Sequence, residues 1–99
     1  MEIADWRKRI DEIDEKLTEL LSERSHCVIE IGKIKRQFGL PIYDPEREKD
    51  IVARVTRNNR GPMENEALTR LFERILDESR RVERLMAGEY RSDKGAKQS

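Results

Sequence analysis

The chain has 99 residues, 21 of them basic and 21 acidic, so its formal net charge at neutral pH is zero. Hydrophobic residues make up 35% and charged residues 42%, a balance that suits long solvated helices around a small core better than a compact globule. The two signs of charge are interleaved along the chain, which disfavours a nucleic-acid or membrane partner, and no apolar run has the length of a signal peptide or a membrane span.

The first helix is predicted to begin near Ala4 or Asp5 and to run to about Phe38, where Gly39 stops it and Pro41 follows. Its apolar positions (Ile3, Trp6, Ile10, Ile13, Leu17, Leu20, Cys27, Ile31, Ile34 and Phe38) follow the three-and-four stepping of a heptad seam. Arg24 fills the seam position between Leu20 and Cys27. A guanidinium cannot shed its charge, so it either reaches past the seam to water, pairs with an acid on a neighbouring helix, or meets an anionic ligand. Cys27 is the only cysteine, which excludes an internal disulfide, favours a reducing and hence cytoplasmic compartment, and reads as a small buried hydrophobe. The only histidine, His26, points about 100° away from it on a helix and cannot serve it as a base.

A second helix is predicted to start at Asp44-Pro45, an acid that caps followed by a proline in the first turn, with Ile51, Val52 and Val55 on one face. The run Asn58-Asn59-Arg60-Gly61-Pro62 ends it. The third helix is expected from about Glu64 to Ala87, with Leu68, Leu71, Phe72, Ile75, Leu76, Val82 and Met86 as its apolar stripe and Gly88 as its close. Residues 1–88 then form the helical domain, and residues 89–99 are polar enough to be expected as a disordered tail. The fold class is all-α, with one very long, one short and one medium helix. At 1.5 Å per residue the first helix extends about 50 Å, whereas a compact domain of this length is about 35 Å across. Two shorter helices cannot cover such a seam, so an interlocked homodimer is expected.

Several ionisable residues share these apolar faces. Arg7 and Lys35 flank the seam of the first helix, Glu48 lies one turn before Ile51 and Val52, and Ser79 and Glu83 continue the third helix's stripe from Ile75. Each alone has a structural explanation, since flanking cations suit coiled coils and acids such as Asp44 and Glu48 suit a helix N-terminus. Together, two or three cations with a few acceptors and donors describe a pocket for a small dianion. Arg7 and Lys35 are separated by about 42 Å along one helix and cannot serve one small ligand within one chain. An antiparallel partner helix would bring Arg7 of one chain to the Arg24–Lys35 stretch of the other. Glycine-rich phosphate loops, metal-ligand spacings and acyl-transfer triads are absent, so neither a metal nor a cofactor is expected.

The run Arg7-x-x-Ile10-Asp11-x-Ile13-Asp14-x-x-Leu17-x-x-Leu20-Leu21-x-x-Arg24 resembles the first-helix signature of the all-helical, AroQ-class chorismate mutases. Ile31-Gly32-x-x-Lys35, Pro41-Ile42-x-Asp44-x-x-Arg47-Glu48, and then Ser79 and Glu83 follow at matching spacing, so the likeness covers roughly residues 6 to 86. The resemblance implies an intertwined three-helix homodimer that converts chorismate to prephenate, a Claisen rearrangement in phenylalanine and tyrosine biosynthesis, without nucleophile or cofactor. It implies that Arg24 and the other chain's Arg7 bind the two carboxylates, and that Lys35 and a protonated Glu83 hydrogen-bond the ether oxygen. Glu48 would accept the ring hydroxyl, while Asp44 and Ser79 order the loop and a carboxylate. Arg47 either orients Glu48 or approaches the substrate. Many relatives carry glutamine where this chain has Glu83, and the mechanism requires the acid form of that residue. Two competing readings are an isochorismate pyruvate-lyase of the same fold and a non-catalytic helical dimerisation module.

Overall fold

The computed structural model describes residues 2–86. Three helices account for nearly all of them: α1 (Ile3–Phe38), α2 (Pro45–Arg57) and α3 (Asn65–Arg84). The first starts a residue or two earlier than periodicity suggests, because the Glu2 amide donates to the Asp5 carboxylate at 2.9 Å and so satisfies a donor that helix geometry leaves free. Gly39 ends α1 in the left-handed conformation, φ 67°. The Gly39 and Leu40 amides return to the carbonyls of Arg36 and Lys35, at 3.3 and 2.7 Å, a paired closure that turns the chain sharply back. Asp44 caps α2 as expected, its Oδ1 accepting from the Arg47 amide at 3.1 Å. The connection to α3 is closed by Asn59, whose side chain bonds the Met63 carbonyl, the Asn65 side chain and the Gly61 amide. The regular part of α3 stops at Arg84, and the expected end at Ala87 with Gly88, like the tail 89–99, lies outside the described residues.

Helix α3 is the centre of the packing, resting on α1 on one side and on α2 on the other. Among the described residues only Val28, Gly32, Leu76 and Glu83 are buried. Gly32 allows the close approach of α1 to α3, since a methyl group there would meet the Glu83 Cγ at 3.4 Å. The chain is elongated, 53 × 35 × 18 Å with a radius of gyration of 17.2 Å, against about 13 Å for a compact chain of 100 residues. Residues 2–23 are exposed without exception. The seam residues Ile3, Trp6, Ile10, Ile13, Leu17, Leu20, Ile31, Ile34 and Phe38 remain 48–69% exposed. Cys27, expected to be buried, is exposed as well, because α1 turns Val28 and Gly32 into the packing and leaves Cys27 outside it. A continuous apolar face of this length on a helix is an interaction surface rather than a solvated one.

Candidate active site

Where α1, α2 and α3 converge, a cavity of about 210 Å³ is lined by side chains of all three helices and of the loop after α1. It gathers Arg24, Lys35, Asp44, Glu48, Ser79 and Glu83, so every site residue expected from sequence is present except Arg7. Arg7 is exposed on α1, about 25 Å from Arg24 along the helix axis. A larger cavity of about 640 Å³ lies against the outer side of α2 and α3 and shares Glu48 and Leu76 with the first. It is more open and its only cation is Lys49, so the chemistry converges on the smaller one.

Arg24 is half-buried, and its Nη1 donates to Ser79 Oγ at 2.5 Å. The Ser79 hydroxyl in turn donates to the Ile75 carbonyl at 2.8 Å, which leaves its lone pairs directed at the guanidinium. Burial, followed by the nearby Arg47 charge, holds the Arg24 guanidinium below the ordinary arginine value, with Cys27 acting weakly the other way. Among the described residues the one hydrogen-bond partner of Arg24 is a neutral hydroxyl, and no acid pairs with its charge.

Lys35 is held from two sides. Its Nζ donates to the Ile42 carbonyl at 2.8 Å, a bond made possible by the sharp return of the chain at Gly39, and it faces both Glu83 oxygens at 3.3 and 3.4 Å. The pair is largely shielded from solvent, with side-chain exposures of 17% for Lys35 and 9% for Glu83. The long distances to the carboxylate mark a loose contact compared with the bond to Ile42. Among the described residues every buried side-chain polar atom has a hydrogen-bond partner, so the cleft holds its charges without an orphaned group.

Two residues depart from the expected arrangement. Arg47 lines the cavity but does not hold Glu48; its Nη1 pairs instead with Asp50 at 3.1 Å. Glu48 is held by Arg80, a residue that sequence reasoning passed over. The signal was available in the spacing Leu76, Arg80, Glu83, which sets Arg80 on the same inward stripe of α3. The Glu48 hydrogen bond and charge, with Asp77 adding to them, hold the Arg80 guanidinium above the ordinary arginine value against a smaller opposing effect of burial. With Arg80 counted, the cavity is lined by four cations (Arg24, Lys35, Arg47, Arg80) and three acids (Asp44, Glu48, Glu83). It is a positive cleft suited to an anion, and it holds no Ser–His or Cys–His pair for nucleophilic chemistry. Among the described residues no group of three or more His, Cys, Asp or Glu is placed to hold a metal, and no helix is long and apolar enough to cross a membrane.

The comparisons with known proteins agree with this geometry. A family model described as chorismate mutase type II matches residues 6–84. The chain is 36% identical over 94 residues to the bifunctional chorismate mutase/prephenate dehydratase of Pseudomonas aeruginosa, covering 90% of this chain and 26% of that protein. It is 47% identical over 55 residues to the chorismate mutase of Methanocaldococcus jannaschii, covering 56% of each. Thus it spans about a quarter of the bifunctional relative and about half of the shorter one. Its fold is similar to a chorismate mutase structure from Thermus thermophilus, with a TM-score of 0.82 and 39% identity over 83% of this chain and 93% of that one. A chorismate mutase from Helicobacter pylori, solved in complex with prephenate, gives a TM-score of 0.81 at 29% identity over 88% and 94% of the two chains.

Proposed function

This chain belongs to the chorismate mutase type II family, and from that premise we propose that it rearranges chorismate to prephenate as a homodimer with two shared sites. The observation that carries the reading is the single cleft in which an uncompensated Arg24, a tethered Lys35, Glu48, Ser79 and the buried Glu83 face one another. The Claisen rearrangement breaks an ether C–O bond and forms a C–C bond in one concerted step, with no net proton or electron transfer. It therefore asks the protein for shape and charge rather than for a nucleophile.

Arg24 takes one carboxylate through the guanidinium face not engaged by Ser79, and Ser79 fixes that guanidinium in place. Arg7 of the partner subunit takes the second carboxylate, holding the enolpyruvyl arm over the ring. The continuously exposed seam of α1 supports the dimer, and Arg7's distance from the cleft of its own chain supports the exchange between subunits. Lys35 donates to the ether oxygen, where negative charge grows as the bond breaks, and Glu83 in its acid form donates beside it. A preorganised donor of this kind is worth about 3 to 4 kcal/mol in the transition state. Glu48 accepts the ring hydroxyl, while Asp44, through its cap on α2, keeps the loop in place.

The decisive experiment incubates the purified chain with chorismate and, separately, with isochorismate and follows their absorbance, with prephenate, an isomer of chorismate, identified by NMR and by its conversion to phenylpyruvate in acid. Prephenate formation is expected. Pyruvate release from isochorismate without prephenate formation would assign the lyase instead, and no turnover of either compound by a well-folded dimer would leave a non-catalytic module.

A further inference from the structure

Arg80 differs from the other cations of the cleft in how its guanidinium is used. Its Nη1 donates to Glu48 Oε2 and its Nη2 to Asp77 Oδ1, while the Tyr43 ring lies 5.2 Å from the guanidinium carbon. Both terminal nitrogens are thus engaged by acids and one face is covered by an aromatic ring. Arg24, by contrast, is engaged only by a neutral hydroxyl. Arg80 is built as a clamp, with little left to offer a ligand directly.

The clamp acts on Glu48. Arg80 and Glu48 are equally shielded, each 23% exposed at the side chain, and they join the C-terminal part of α3 to the first turn of α2. Among the described residues Glu48 Oε1 has no hydrogen-bond partner, so the clamp holds one carboxylate oxygen and leaves the other, on a residue that lines the cleft, free to accept. Charge points the same way. The cavity's four cations exceed its acids by one with all three ionised and by two with Glu83 in its acid form, and loss of Arg80 lowers either balance by one. An unclamped Glu48 would repel a dianion through the cleft's shared low-dielectric space.

We infer that Arg80 is a positioning residue for this reaction, fixing Glu48 as an acceptor for the substrate hydroxyl while cancelling its charge toward the dianionic substrate. The inference rests on the mutase reading and adds to it a residue that acts through Glu48 without touching the substrate. Asp77 and Tyr43 hold the far side of the clamp, which explains why a long, rotamer-rich arginine can keep one orientation.

The test is a double-mutant cycle on chorismate turnover using wild type, Arg80→Met, Glu48→Gln and the double variant, with a melting temperature for each. Arg80→Met keeps the aliphatic stem and removes the charge. In the wild-type background it is expected to lower kcat/KM by about tenfold or more, chiefly through KM, as befits a partly exposed charged hydrogen bond and lost anion binding. With Glu48→Gln already in place, where there is no carboxylate left to position, the same change loses only the anion attraction of Arg80 itself and is expected to cost several-fold less than in the wild-type background. Arg80→Lys should recover part of the loss. Equal losses in the two backgrounds, or no loss in the wild type, would overturn the inference while leaving the mutase reading intact. A wild type inactive toward chorismate would overturn both. Should Arg80→Met fail to fold, Arg80→Gln replaces it in the same cycle and is judged by the same ratio.

Discussion

Replacing Arg24 by leucine separates what this residue does for the fold from what it does for a ligand. In the folded chain the change removes one hydrogen bond, Arg24 to Ser79, worth about 1.5 to 3 kcal/mol at most for a charged donor. Ser79 is not orphaned by the loss, because its hydroxyl still donates to the Ile75 carbonyl. Against this, leucine completes the apolar seam between Leu20 and Cys27, and partial burial of its side chain returns about 1 to 2 kcal/mol. It also relieves the burial of a cation and its repulsion by Arg47, the two effects that hold the Arg24 guanidinium below its ordinary value. These contributions nearly cancel, so stability should change by no more than about 1 kcal/mol, or about 4 to 8 °C in Tm for a domain of this size. Turnover should behave otherwise. Removing one partner of a desolvated charge pair costs about 2 to 5 kcal/mol, which is about 30- to 5,000-fold in kcat/KM for chorismate. The assay pairs a thermal melt at fixed protein concentration with chorismate consumption. A variant that loses its assembly, or melts more than about 10 °C lower, would show that Arg24 holds the fold, and the argument from its uncompensated charge would fail.

Arg7→Ala and Lys35→Ala should each be nearly inactive, yet refolded together they should recover about a quarter of wild-type activity. Half the dimers are then mixed and each mixed dimer has one intact site; no recovery despite proven subunit exchange would exclude shared sites. Glu83→Gln keeps the shape and a permanent donor beside Lys35, so it should stay active, with kcat within a few-fold of the wild type. Glu83→Ala should lose about 10² in kcat, and a glutamine variant as impaired as the alanine one would refute donation by Glu83. Gly32→Ala adds a methyl 3.4 Å from Glu83 Cγ and 3.8 Å from its Cα, contacts that the glutamate side chain can absorb by a small shift. With about 1 kcal/mol gained in helix propensity, the variant should melt no lower than the wild type while its kcat falls; a marked drop in Tm would mean that α1 and α3 pack too closely for any side chain at that position.

The sequence by itself determined the elements, because the forces that set them are local. Heptad spacing, the Asp44-Pro45 start and the Gly39 stop set three helices to within a few residues. The question of what meets the charge of Arg24 was also legible, since a cation in an apolar stripe stands out at a single position. Which side chains meet across helices was not, because that depends on how α3 is rotated and seated against α1 and α2. Only the tertiary structure decided that Glu48 takes Arg80 while Arg47 takes Asp50, although both arginines lay within reach by spacing. Only it showed that Lys35 reaches the Ile42 carbonyl, that Gly32 abuts Glu83, and that Cys27 stays exposed while Val28 beside it is buried. A hydrophobic period gives the direction a helix face must point, but the partner of a charged group is chosen by distances of a few ångströms between elements far apart in the chain, and those distances exist only once the helices have packed.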